Sequence, residues 1–73
     1  MKKSEIVEGG IYSNKRGWQR VVLGISEAGE YRLYFGQDEK HTLQYKQLSG
    51  KEAGRTANST VASFASWAKK REN

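Results

Sequence analysis

Apolar and polar residues alternate through most of the chain, and a period of two is typical of β-strands with one buried face. Asn14 and Gly17 are residue types that adopt positive φ, so a tight hairpin is expected between the first two runs. The pattern predicts four short strands and a fifth of weaker propensity, which cover residues 11–13, 18–26, 31–35, 41–46 and 55–59. These strands are expected to pair antiparallel across short, glycine-containing turns.

The second predicted strand has two distinct faces. The aliphatic face is expected to be buried, and it consists of Gln19, Val21, Leu23 and Ile25. The opposite face is expected to point to solvent, and it consists of Trp18, Arg20, Val22 and Gly24. Together with apolar positions of the other elements, the aliphatic face predicts a core of Val21, Leu23, Ile25, Leu33, Phe35, Leu43 and Phe64.

The periodicity changes near the C-terminal end of the chain, where residues 60–71 predict one α-helix. Its apolar side chains recur at helical spacing and form one stripe of Val61, Phe64, Ala65 and Ala68. Asn58, Ser59 or Thr60 would cap the first turn. The cations of residues 69–71 would lie where the helix dipole favours positive charge.

These elements predict a mainly β fold, a small SH3-like barrel of four or five antiparallel strands with one C-terminal helix. We expect a single domain over residues 1–73, with a loose lead-in at 1–8, the barrel at 10–59 and the helix at 60–71. If the strand at residues 11–13 forms an uncovered edge, it offers a site at which two copies would pair as a homodimer.

Composition narrows the class of protein. The 73 residues include no Cys, which excludes disulfides and thiolate metal sites and favours a reducing, cytoplasmic location. No apolar run is long enough to span a membrane. The net charge of +5 favours nucleic acid or an acidic protein surface as partner, although a small domain also needs net charge of this size to stay soluble.

Basic and aromatic residues coincide on the predicted outer face. Trp18 and Arg20 share one strand face, Arg32 and Tyr34 share a face of the next strand, and the turn adds Lys15 and Arg16. Cations neutralise phosphates and flat rings stack on bases, so these six residues are the predicted contact face. The alternative is that the C-terminal helix covers Trp18 or Tyr34. Trp67 flanks the helical stripe and is expected at the edge of the core.

The sequence gives no sign of catalysis. Asp38, Glu39 and His41 cluster in one turn, but a single His without Cys makes a complete metal-ligand set hard to assemble, and a solvated turn is the expected structure. Glycine loops with phosphate-binding spacing do not occur. We therefore expect no enzymatic activity, no cofactor and no small-molecule substrate.

Three segments resemble small proteins of bacteriophages and prophages with an SH3-like barrel: Gly9-Gly10-Ile11-Tyr12, Gly17-Trp18-Gln19-Arg20-Val21-Val22 and Ser63-Phe64-Ala65-Ser66-Trp67-Ala68. The chain also looks partly like SH3-like barrels of the KOW or Tudor kind, which bind nucleic acid or protein. The phage resemblance implies either nucleic-acid binding in replication, packaging or regulation, or a small protein that blocks a host factor such as a defence nuclease. The basic composition favours nucleic-acid binding, because an inhibitor that mimics DNA is expected to be acidic.

Overall fold

A computed structural model of the chain describes residues 1–27 and 41–73. Within these ranges the fold is mainly β, as predicted, with five antiparallel strands in one sheet of order β4-β3-β2-β1-β5 and one C-terminal helix. The described strands form an open sheet rather than a closed barrel. The elements are a 3-10 turn at Lys3–Glu5, β1 at Ile11–Ser13, β2 at Gln19–Glu27, β3 at His41–Gln47, β4 at Thr56–Thr60, α1 at Val61–Trp67 and β5 at Lys70–Arg71. The predicted strand at residues 31–35 lies outside the described residues.

The predicted hairpin between β1 and β2 is confirmed. Asn14 organises the turn, since its Oδ1 accepts hydrogen bonds from the backbone N–H groups of Arg16 at 3.0 Å and Trp18 at 2.9 Å. Gly17 has φ +83°, a left-handed conformation that favours glycine. The turn therefore fixes the backbone of Trp18 at the point where β2 begins.

The predicted faces of β2 are wrong at its centre. Val22 is 1% exposed, whereas Leu23 is 47% exposed and Val21 is only half-buried. The pairing of β2 with β3 shifts between Val22 and Gly24, which marks a β-bulge, and Ile25 then packs against the core as predicted. An extra residue in one strand reverses the alternation, so Val22 and Ile25 lie on the same side of the sheet.

The core centres on two fully buried rings. Tyr12 and Phe64 meet edge to face, with ring centroids 5.6 Å apart and planes at 84°. The Tyr12 hydroxyl donates to the carbonyl of Glu5 at 2.7 Å and accepts from the N–H of Val7 at 2.9 Å, which anchors the N-terminal segment to the sheet. Phe64 and Leu43 are buried as predicted, whereas Leu33 and Phe35 lie outside the described residues.

Helix α1 presents the predicted stripe to the core. All four of its members, Val61, Phe64, Ala65 and Ala68, are buried. Thr60 is the cap, and its Oγ1 accepts from the N–H of Ser63 at 3.0 Å. The stripe and one of the three candidate caps are thereby confirmed.

The helix ends earlier than predicted, at Trp67 instead of residue 71. The N–H of Lys69 donates to the carbonyl of Ser13 at 2.8 Å, and Lys70–Arg71 continues as strand β5 along β1. Backbone hydrogen bonds to the sheet thus replace further helical turns. The same pairing places β1 between β2 and β5, so the prediction that residues 11–13 form an uncovered edge is wrong, whereas a homodimer through another edge strand stays a prediction.

Candidate functional site

Antiparallel pairing collects positive charge at one end of the sheet. The N–H of Leu48 donates to the carbonyl of Gln19 at 2.8 Å, so the connection that follows β3 lies beside the start of β2 and the β1–β2 turn. We call this region the basic end; its cations are Lys15, Arg16, Arg20, Lys51 and Arg55. Glu52 lies among them and pairs with Arg55 at 3.4 Å between exposed side chains. Positive charge therefore dominates this end among the described residues.

The Trp18 side chain is held in place at the basic end by Gly50. A Cβ built on Gly50 would lie 2.6 Å from Cδ2 of the indole, so only glycine permits this close packing. Gly50 also has φ +91°, which a side chain would strain. Arg16 reaches the same ring, with its Cζ 5.6 Å from the ring centroid. Trp18 is half-buried, so part of the indole remains accessible.

A groove of about 230 Å³ runs beside this indole. Residues from the β1–β2 turn, β2, β3 and the β3–β4 connection form its walls, namely Trp18, Arg20, Gln47, Lys51 and Glu52. The groove thus combines an aromatic ring, two cations, an amide and a carboxylate. Such a set can bind a flat, partly polar group close to negative charge.

Arg20 joins this groove to the core. Its Cζ lies 4.0 Å from the ring centroid of Trp67 and 4.3 Å from that of Tyr45, close enough for cation–π attraction to both rings. Both rings also contact Phe64, with centroid distances of 5.4 Å and 5.6 Å. Arg20 lies opposite Tyr12 in the β1–β2 pairing, so it occupies the core side of the sheet rather than the predicted outer face.

A chain of hydrogen bonds fixes the Arg20 guanidinium. Its Nε donates to Oε1 of Gln47 at 2.7 Å, and Nε2 of Gln47 donates to the carbonyl of Ser49 at 2.7 Å. Burial lowers the pKa of Arg20, while Tyr45 and Glu52 act to raise it. An arginine stays protonated in proteins, so the groove wall carries a fixed positive charge.

The structure brings together some of the predicted contact residues. Arg16, Trp18 and Arg20 are neighbours at the basic end, and Lys15 is exposed in the same turn. Arg32 and Tyr34 lie outside the described residues. The contacts described for the Trp18 ring are with Gly50 and Arg16, whereas helix α1 places Trp67 against Arg20.

Sequence reasoning missed three side chains that line the groove, Gln47, Lys51 and Glu52. Their position depends on the pairing of Arg20 with Gln47, which brings the end of β3 next to Trp18. The glycines between β3 and β4 were the available signal, because they indicate a turn. If β3 pairs with β2, this turn begins beside the start of β2 and lies close to Trp18. Trp67 was expected at the edge of the core, but alternation along single strands does not show that Trp67 and Tyr45 both contact Arg20.

The chain has no match among protein-family models, curated proteins or solved structures.

Over residues 1–27 and 41–73, no helix is long and apolar enough to cross a membrane. In the same ranges no three side chains of His, Asp or Glu are grouped to hold a metal ion. His41 is exposed at the start of β3, and its predicted neighbours Asp38 and Glu39 lie outside the described residues.

Proposed function

We propose that this protein is a non-enzymatic nucleic-acid-binding module and that it binds through the basic end of the sheet. The observation that carries the proposal is the groove itself, in which a half-buried indole lies beside Arg20 and Lys51. A phosphate backbone is attracted to clustered cations, and its bases stack on aromatic rings. The basic end supplies both interactions within one surface.

Two side chains of the groove are held in place by their neighbours, which further supports the proposal. Trp18 packs against Gly50, and Arg20 is fixed by two rings and by Gln47. Side chains that are ordered before binding lose little conformational freedom when a ligand arrives. Arg16 and Lys51 are exposed, and their long side chains have many rotamers, so they would adjust to phosphates around this fixed centre.

Fluorescence anisotropy of labelled single-stranded and duplex oligonucleotides, titrated with the protein at two salt concentrations, tests the proposal. We expect saturable binding that weakens steeply with salt. Arg16→Ala and Lys51→Ala should each weaken binding. Lys46→Ala is the matched control, since Lys46 is exposed in β3 on the face opposite Arg20 and should have little effect. Absence of binding to either oligonucleotide at tens of micromolar protein in low salt would refute nucleic acid as the ligand.

An acidic protein surface is the alternative partner, as for a small protein that blocks a host factor. The observation in its favour is that Leu48, which follows β3 at the basic end, is an exposed apolar side chain. Aromatic and arginine residues are also common at protein interfaces. A pull-down from nuclease-treated bacterial lysate separates the two classes, because a nucleic-acid module loses its partners and a protein inhibitor retains one.

A further inference from the structure

We infer that the groove at the basic end accepts one unpaired nucleobase, so that the ligand is single-stranded rather than duplex nucleic acid. This inference rests on the proposed function of the same surface. It adds the class of nucleic acid and assigns different parts of the ligand to different residues: the base to the groove beside Trp18, and the flanking phosphates to Arg16 and Lys51.

The Trp18 ring is accessible only in part. The indole is half-buried at the wall of a groove and packs against Gly50, so it does not project as a wedge. In a duplex the faces of the bases are covered by their neighbours, and only base edges are exposed in the grooves. A recessed ring can therefore stack only on a base that has left the stack, which a single strand provides without the cost of unpairing.

The groove contains charges of both signs. Glu52 lines it together with Arg20 and Lys51, and the Glu52 side chain is largely exposed. A carboxylate repels a phosphate placed beside it but accepts hydrogen bonds from base N–H groups. Glu52 therefore favours a base over a phosphate at its own position in the groove, while Arg20 and Lys51 attract the flanking phosphates.

Two exposed cations, Arg16 and Lys51, lie beside the Trp18 ring. Arg16 approaches the Trp18 ring from the β1–β2 turn, with its Cζ 5.6 Å from the centroid, and is itself exposed. Lys51 lies on the β3–β4 connection and lines the same groove. The two cations come from separate loops on either side of β2, an arrangement that suits phosphates both before and after the inserted base.

Three labelled ligands test the inference on the unmodified protein: a short oligothymidine strand, a duplex of the same length, and a strand of that length whose central nucleotides are abasic. Stacking of one base on an aromatic ring is worth about 1–3 kcal/mol, so the abasic strand should bind roughly 5- to 150-fold more weakly than oligothymidine. The duplex should also bind more weakly at the same salt concentration.

Substitution of Trp18 tests the same inference independently. Trp18→Ala should remove the difference between oligothymidine and the abasic strand, whereas Trp18→Phe, which keeps an aromatic face, should retain part of it. Thermal denaturation of both variants shows whether they fold. Because the abasic comparison uses the unmodified protein, the inference stays testable if Trp18→Ala does not fold.

The possible failures are distinguishable. If no ligand binds, the proposed function itself is wrong. If all three ligands bind with equal affinity and similar salt dependence, the basic end binds nucleic acid through phosphates alone, and the inference of an unpaired base in the groove is overturned.

Discussion

Arg20 shows how a residue favoured for binding is also required for packing. Its guanidinium contacts the rings of Tyr45 and Trp67, both of which contact Phe64 in the core. The same guanidinium lines the groove. Arg20 is therefore best described as a fixed part of the groove wall, whereas the exposed Arg16 is free of such constraints from the core.

Arg20→Ala should lower the free energy of unfolding by about 1–3 kcal/mol, because it removes two cation–π interactions and leaves Oε1 of Gln47 without this donor. Gln47 is only 5% exposed, so water would poorly replace the missing hydrogen bond. Urea denaturation measures the change, and Lys46→Ala should stay within about 0.5 kcal/mol of the parent protein. An Arg20→Ala protein as stable as the parent would mean that the side chain acts in binding without supporting the fold.

Gly50 is the second residue on which the groove depends. Gly50→Ala should destabilise the protein by about 1–3 kcal/mol, since the new side chain would require a left-handed backbone and would collide with the indole of Trp18. The shifted indole should also weaken oligonucleotide binding. Gly54→Ala is the matched control, because Gly54 has φ +92° but no atom within 4 Å of the added Cβ. If both variants bind oligonucleotide equally well, contact between Gly50 and Trp18 does not position the groove.

At the scale of elements, the sequence correctly predicted the type of β2 but not its faces. Alternation assumes one residue per position on each strand, and the bulge between Val22 and Gly24 breaks that assumption. The pattern could not show the bulge because Val21, Val22 and Leu23 are all apolar. Helix α1 was easier, since its buried stripe and its Thr60 cap both follow from local sequence.

The C-terminal end of α1, in contrast, does not follow from local sequence. Residues 68–71 continue the helical pattern, yet Lys70–Arg71 pairs with β1. Pairing with a strand from the other end of the chain is a tertiary effect that local propensity does not contain. The candidate site follows the same division: Trp18 and its neighbouring cations were visible in sequence, but the partners supplied by β3 and the β3–β4 connection required the strand order.

The faces of β2 can be tested by a pair of substitutions. Val22→Ala should destabilise the protein by about 2 kcal/mol, because it removes two buried methyl groups and leaves a small cavity in the core. Leu23→Ala should change stability by less than about 0.5 kcal/mol, since Leu23 is an exposed side chain. Chemical denaturation of both variants makes the comparison. If Leu23→Ala destabilised the protein more than Val22→Ala, the result would favour uninterrupted alternation along β2 and contradict the bulge.

At the scale of the whole molecule, the position of charge is more informative than its total. The net charge of +5 does not distinguish a binding protein from one that only needs to remain soluble. The fold adds that two separate loops place Arg16 and Lys51 near Trp18, while Lys46 lies on the other face of the sheet. If the basic end is the binding surface, the ionic contribution to affinity should depend on which cation is removed.

The salt dependence of binding should differ between variants that each remove one positive charge, which the net charge alone would not predict. For a single strand, the slope of log K against log salt changes by about 0.7 for each phosphate that a cation neutralises, so Arg16→Gln and Lys51→Gln should each flatten the slope by about that amount. Lys46→Gln removes the same charge from the opposite face and should leave the slope unchanged. Anisotropy titrations between about 50 and 200 mM salt cover the range in which the effect is large. Equal flattening by all three variants would mean that the strand binds across the whole basic surface, and the ligand would then have no single site at the basic end.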